Sequence, residues 1–363
     1  MPAFHEQSLR STRLIVRIAI AVGIVFAIYF YAVYLRARTD ARNAAADRVL
    51  LLLGHHDARN ALGAGVAAEQ KLGPSAELTL TLWAALMADE QKRPALLKHS
   101  FPYRLQDPKA QLAFSDDSRF LAIIDGFTIT VWNAEDGTQV LNTQAGDRFV
   151  GYWRIGARHF GLLASYQYVD LVTSVIELPD TFRYSQPSKD AVTAVAPDGD
   201  WAYHAPNAER GRSDYPIKLI NLHTGEKREV DAGYQGKGAV AVNGDATRIA
   251  AQNAGSNSIE LWDSRRRLRL AHIADLTAHS LYFSDVPGLL IAATARDLRF
   301  FDPDNGRLLF TLPEKANTVA VDPRGWWFAE QAGNTIRLYR GPASPFVADV
   351  AKQAVSPAPA TSH

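Results

Sequence analysis

The side chains with most chemistry to offer are scattered histidines, a run of arginines and a pair of tryptophans. His55-His56-Asp57 has the residue types of a metal site. Neighbours on a helix point about 100° apart, so the pair lacks the i, i+4 spacing that lets two histidines share one ion. A polar turn between helices is the better reading. His204, His223, His272 and His279 are not at ligand spacing. Arg265-Arg266-Arg267-Leu268-Arg269 is the strongest charge feature. It suits contact with a phosphate or an acidic partner. A solvated turn leading into an outer strand whose charges block edge-to-edge pairing is the better reading. Of Trp326-Trp327, one ring is expected to pack in the core, leaving the other as a candidate binding hot spot. The patterns GxxxxGK[ST], GxSxG and HExxH do not occur. No catalytic, metal or cofactor residue is therefore assigned. Arg265, Arg266, Arg267, Trp326 and Trp327 stand as possible partner contacts.

Composition narrows the function classes further. Thirty-nine Lys and Arg against 38 Asp and Glu leave a net charge of +1, so no global field draws nucleic acid. The chain has no cysteine, which removes disulfides, thiolate nucleophiles and cysteine-bound zinc.

The elements that would position these residues are marked by a repeat. An apolar–polar–apolar triplet followed by a bulky anchor recurs at Trp132, Val172, Ile220, Trp262, Phe301 and Tyr339. The anchors are 40, 48, 42, 39 and 38 residues apart. A period of about 40 residues built from short strands is the mark of a β-propeller with four strands per blade. Turn residues frame each copy, among them Glu135-Asp136-Gly137, His223-Thr224-Gly225 and Asp304-Asn305-Gly306. Their glycines supply the positive φ that tight hairpins need.

On these residues the chain resembles the WD40-repeat family. Leu112 to Leu141 follows its blade pattern, Trp262-Asp263 reproduces its namesake dipeptide, and Trp132-Asn133 differs by one residue. The resemblance spans about Ala95 to Gly341 and is weak over Gly151 to Glu177. The family's Gly-His dipeptide is missing, and four anchors are Val, Ile, Phe and Tyr. Quinoprotein-like and lactonase-like propellers are thus related alternatives. The expected fold class is all-β: six blades, with seven as the alternative, over residues 95–341. Leu96 to Tyr103 is expected to complete the last blade, because the sequence after Tyr339 is poor strand material.

Ahead of the repeats, Ile18 to Leu35 is an uncharged run of 18 residues within the apolar segment Leu14–Leu35. That is the minimum length of a membrane span. Tyr29, Tyr31 and Tyr34 gather at one end, and Arg17 sits near the other. A cleaved signal peptide fits less well, since the run exceeds the usual core of about 7–15 residues. Residues 1–13 are then a cytoplasmic tail. The propeller lies across the membrane, on the periplasmic side of a bacterial inner membrane. Ala19, Gly23 and Ala27 form a small-residue stripe on which two spans can pair as a homodimer. Residues 36–93, rich in Ala and Leu, read as a helical neck, with Pro74 at a helix start. Residues 342–363, rich in Pro, Ala and Ser, read as a disordered tail.

The resulting expectation is a membrane-anchored, non-catalytic platform for an unidentified protein partner, without cofactor or nucleic acid. The alternative is a propeller that binds or hydrolyses a small molecule in its central channel.

Overall fold

The structure is a computed structural model. It describes the backbone of residues 2–104, 110–115, 117–125 and 128–144, the strands between 149 and 204, and 216–355 apart from 222–223, 232–237 and 254–255. Side chains are described from residue 23 onward, but not at 143–195, 202 or 204. Val172 and His223 therefore lie outside the described side chains.

Helix α1 runs unbroken from Pro2 to Gly54. The expected tail at 1–13 is part of it: Ala3 to Arg13 contains no glycine or proline to stop propagation. Asp57 caps α2 (Ala58–Leu72) by accepting from the Asn60 amide, and Gly73 ends it at φ +76°. Ser75, rather than Pro74, caps α3 (Ala76–Ala88). A 3-10 turn follows at Arg93–Ala95.

The remainder is mostly β-structure, arranged among the described residues as six four-stranded antiparallel sheets. Strand β1 (Leu97–Pro102) precedes the first of them. Sheet one holds β2 (Gln111–Phe114), β3 (Phe120–Asp125), β4 (Thr128–Asn133) and β5 (Gln139–Gln144). Sheet two holds β6 (Phe149–Arg154), β7 (His159–Ala164), β8 (Leu171–Glu177) and β9 (Thr181–Ser188). Sheet three holds β10 (Ala194–Val195), β11 (Trp201–His204), β12 (Ile217–Asn221) and β13 (Lys227–Val230). Sheet four holds β14 (Val240–Val242), β15 (Arg248–Asn253), β16 (Ser258–Asp263) and β17 (Leu268–Ile273). Sheet five holds β18 (Ser280–Ser284), β19 (Leu289–Ala293), β20 (Leu298–Phe301) and β21 (Leu308–Leu312). Sheet six holds β22 (Thr318–Val321), β23 (Trp327–Ala332) and β24 (Thr335–Arg340), and its fourth strand is β1. The pairing expected of Leu96–Tyr103 is present, with Phe101 opposite Ile336.

Within each repeat whose side chains are described, the apolar triplet is the buried part. Ile129 and Val131, Ile217 and Leu219, Ile259 and Leu261, Leu298 and Phe300, and Ile336 and Leu338 are all nearly inaccessible. The anchors are less uniform than expected: Trp132, Phe301 and Tyr339 are buried, whereas Ile220 and Trp262 are half-buried. They sit near strand ends, and a bulge falls beside Trp132, Trp262 and Phe301. Val131 faces Leu141 but Trp132 faces Gln139, and the same shift recurs at Leu261/Trp262 and Phe300/Phe301. The extra residue turns the outer strand, but burial does not follow it, since Trp132 and Phe301 are buried beside bulges and half-buried Ile220 has none.

The helices dock on sheets five and six through one apolar core. Trp83 lies edge-on to Phe300, Phe310 and Phe328, and its indole N–H donates to the Arg340 carbonyl at 2.8 Å. One expectation is corrected here. Part of the tail read as disordered is helix α4 (Val347–Val355), with Val347 and Ala351 fully buried against this core. Two apolar residues one turn apart order the segment once α2 and α3 present a groove.

Candidate functional site

Strands β23 and β24 form a hairpin through Gly333 and Asn334, and its register sets Glu330 opposite Arg337. Both faces of the sheet are covered here, so the Glu330 carboxylate has no access to solvent. Tyr339 donates its phenol to Glu330 Oε1 at 3.1 Å, and Arg337 donates to the same oxygen at 3.2 Å. Glu330 Oε2 has no hydrogen-bond partner. Arg337 also donates to Glu314 at 2.7 Å, and Glu314 accepts from Arg93. The Arg93 Nε in turn donates to the Met87 carbonyl at 2.7 Å, at the end of α3. This chain of charges ties the helices to sheet six.

A cleft of about 270 Å³ opens beside it, lined by Glu90, Arg93, Pro94, Leu97, Arg337 and Tyr339. Burial, with Glu314 nearby, pushes the Glu330 carboxyl up to about 7 against the pull of Arg337 and Tyr339. Burial and the Glu330 charge likewise push the Tyr339 phenol well up. Burial works against the Arg337 cation, yet its bond to Glu314 and the surrounding charges raise it overall. Such a carboxyl exchanges a proton near neutrality. Its immediate partners are a guanidinium and a phenol, which hold it in place.

The sequence-derived candidates lie elsewhere. Asp263 accepts from the Arg266 amide, so the arginine run is the β16–β17 turn followed by β17. Arg265 approaches Asp245 at 3.8 Å and Arg266 approaches Asp263 at 3.9 Å, both with exposed side chains. Arg267 takes φ +54°, the conformation that Gly137, Gly225 and Gly306 adopt in the equivalent turns. Trp327 is buried beneath the Arg340 guanidinium, whereas Trp326 is 41% exposed with Arg324 over its ring. The arginine turn and the tryptophans sit at the same end of sheets four and six, with sheet five between them.

His56 sits in the turn between α1 and α2 at φ +57°. His272 contacts Glu260 at 2.6 Å, and His279 contacts the Ala316 carbonyl at 2.9 Å. Among the described residues no three His, Asp or Glu side chains are grouped to hold a metal ion. Gly23 and Ala27 of the small-residue stripe are exposed on α1, while the Ala19 side chain lies outside the described residues. Among the described residues no helix is long and apolar enough to cross a membrane. Within the segment Leu14–Leu35, side chains are described only from Gly23.

Reading the sequence missed Glu330, Arg337, Glu314 and Arg93. The Gly333-Asn334 turn held the signal for the first two, since counting back from it pairs positions 330 and 337. Arg93 and Glu314 are brought together from distant segments and carry no local mark. No protein-family model matches the chain, and no curated protein matches it.

Proposed function

We propose that the chain is a membrane-anchored interaction module. It is a WD40-like, six-bladed propeller on a helical neck, held in the bilayer by residues 14–35 and presenting loops to a protein partner. Several contacts support a closed ring. First strands of successive sheets lie side by side at β6/β10, β14/β18 and β18/β22, and β2 lies against β22. Trp201, Tyr203 and Ile217 share one core with Val242, Ile249 and Ala251, which joins sheets three and four. β3 approaches β6, which joins sheets one and two.

The observation that carries the reading is the seam. The N-terminal strand completes the last sheet, and Trp83 and α4 fasten the neck across it, making one stiff platform on the helix that carries the apolar run. The test is photo-crosslinking in native membranes from a reactive residue placed at Ala295, an exposed position between β19 and β20. A reproducible adduct with one protein is expected. Adducts with small molecules only would overturn the interaction reading. Release of the full chain from membranes by alkaline carbonate would overturn the anchor.

A further inference from the structure

The helices define which end of the sheets faces the anchor. Trp83, midway along α3, bonds Arg340 at the end of β24, whereas Met87, near the end of α3, accepts from Arg93, which meets Glu314 in the β21–β22 loop at the other end of the sheets. α3 therefore starts at the end bearing the β22–β23 turn. Arg38 and Arg42 of α1 both donate to the Leu72 carbonyl, just before that start. Asp47 of α1 meets Arg307 in the β20–β21 turn at 3.5 Å, and α1 is exposed from residue 23 to residue 41. The N-terminal part of α1 thus leaves past the turn end of the sheets.

That end carries an exposed aromatic patch. Trp326 is 41% exposed, Phe346 50% and Val286 44%. They belong to one surface. The Ala343 amide bonds the Gly325 carbonyl, and a Cβ on Gly325 (φ +68°) would fall 2.3 Å from the Val286 carbonyl oxygen. The cations are stacked on the rings: Arg324 over Trp326 at 5.2 Å and Arg340 over Phe346 at 4.2 Å. Of the nearby carboxylates, Asp322 is turned inward and caps the Trp327 amide at 2.6 Å, while Asp285, exposed beside Val286, accepts from the Gly244 amide at 3.0 Å. Arg36 and Arg48 are exposed on α1, and Arg265 and Arg266 are exposed at the same end of sheet four. Aromatic rings flanked by cations match the headgroup layer of an anionic bilayer, where rings seat at the interface and arginines meet phosphate.

We propose that this turn face docks on the anionic bilayer surface through Trp326 and Phe346, with Arg324 and Arg340 on lipid phosphates. The inference rests on the anchor reading above. Leu35 and Asp47 are about 18 Å apart at 1.5 Å of helix rise per residue. A tilt of about 20° lowers that separation only to about 17 Å, so contact requires a span tilted toward the upper end of the range of about 0–40°. The opposite face, with Ala295 and the β21–β22 loop, is left for the protein partner.

The absence of native cysteine makes the test direct. The full chain is reconstituted into vesicles of phosphatidylcholine, with or without phosphatidylglycerol, containing a lipid-borne quencher. A fluorophore is placed on a single cysteine introduced by Val25→Cys, Pro345→Cys or Ala295→Cys. Quenching is expected at 25 in both lipids, at 345 with phosphatidylglycerol, and not at 295. Quenching at 345 is expected to disappear in high salt and in the W326S/F346S background, while quenching at 25 persists. Quenching at 25 without quenching at 345 overturns docking and leaves the anchor standing. No quenching at 25 overturns the anchor and the docking with it. Protection at 345 seen only in native membranes overturns lipid docking and assigns the patch to a protein.

Discussion

The phenol of Tyr339 donates to the carboxyl of Glu330 at 3.1 Å in the fully buried centre of the closing sheet. The carboxyl is held there by Tyr339 and Arg337 but sealed from water, and its pKa stands near 7 instead of the ordinary 4.5. Ionising it costs more in the folded chain than in the unfolded one. Its stabilising contribution is complete below pH 4.5 and is lost as pH rises through 7. The full shift corresponds to about 3 kcal/mol. Urea midpoints measured from pH 5 to pH 8 are expected to fall in the native chain and to fall less in Glu330→Gln. Parallel slopes for the two chains would contradict this.

Arg267 occupies the left-handed position of its turn without being glycine. Arg267→Gly relieves roughly 1 kcal/mol of backbone strain, partly offset by the entropy of glycine. Its unfolding midpoint is expected to stay level or rise. Gly306→Ala goes the other way, because its Cβ would lie 2.7 Å from the Ala271 Cβ at φ +71°. It is expected to cost more than Gly225→Ala, which has the same kind of φ but nothing within 4 Å. Thermal melts of the three variants give the order.

Trp83 joins the helices to the sheets by packing and by one hydrogen bond. Trp83→Ala is expected to cost about 3–5 kcal/mol and to expose the segment after α3 to limited proteolysis. Trp83→Phe keeps most of the packing but leaves the Arg340 carbonyl without its donor, at a cost of about 1 kcal/mol. Equal losses for the two variants would mean that the docking depends on the indole N–H alone.

Helix α4 is expected to act as a clasp on the neck. Ala351 is fully buried and Lys352 reaches Glu69 of α2 at 2.9 Å. Ala351→Asp buries an unpaired charge and is expected to lower the melting temperature. Lys352→Ala takes this partner from the buried Glu69 carboxylate and is expected to lower it by less. The comparison is made by thermal denaturation.

Much of the sheet architecture was legible because its signals are local. Alternating triplets such as Ile259 and Leu261 mark strands, and glycines 137, 225 and 306 mark turns. Even the completion of sheet six by Leu97–Pro102 follows from the lack of strand-forming residues after Tyr339. What stayed hidden depends on distant surfaces. Val347 and Ala351 form a helix that matters only beside the groove of α2 and α3. Glu330 reads as a solvent-facing strand residue until the second covering layer is known. The bulges beside Trp132, Trp262 and Phe301 leave no residue-type signature, and the covering that separates buried Trp132 from half-buried Ile220 comes from other segments. Of the partner-contact candidates, Trp326 and Trp327 separated into one exposed and one buried ring. Which ring faces outward is set by the Gly325 turn and its packing on Val286.

An experimental density map of the full chain in a lipid nanodisc, viewed along the proposed propeller axis, would be decisive. Six radial densities around a central channel are expected, with the helical neck outside the seam between the fifth and sixth and α1 entering the disc. An open arc, a different number of densities, two stacked layers, or α1 lying free of the disc would contradict the proposal of an anchored six-bladed platform.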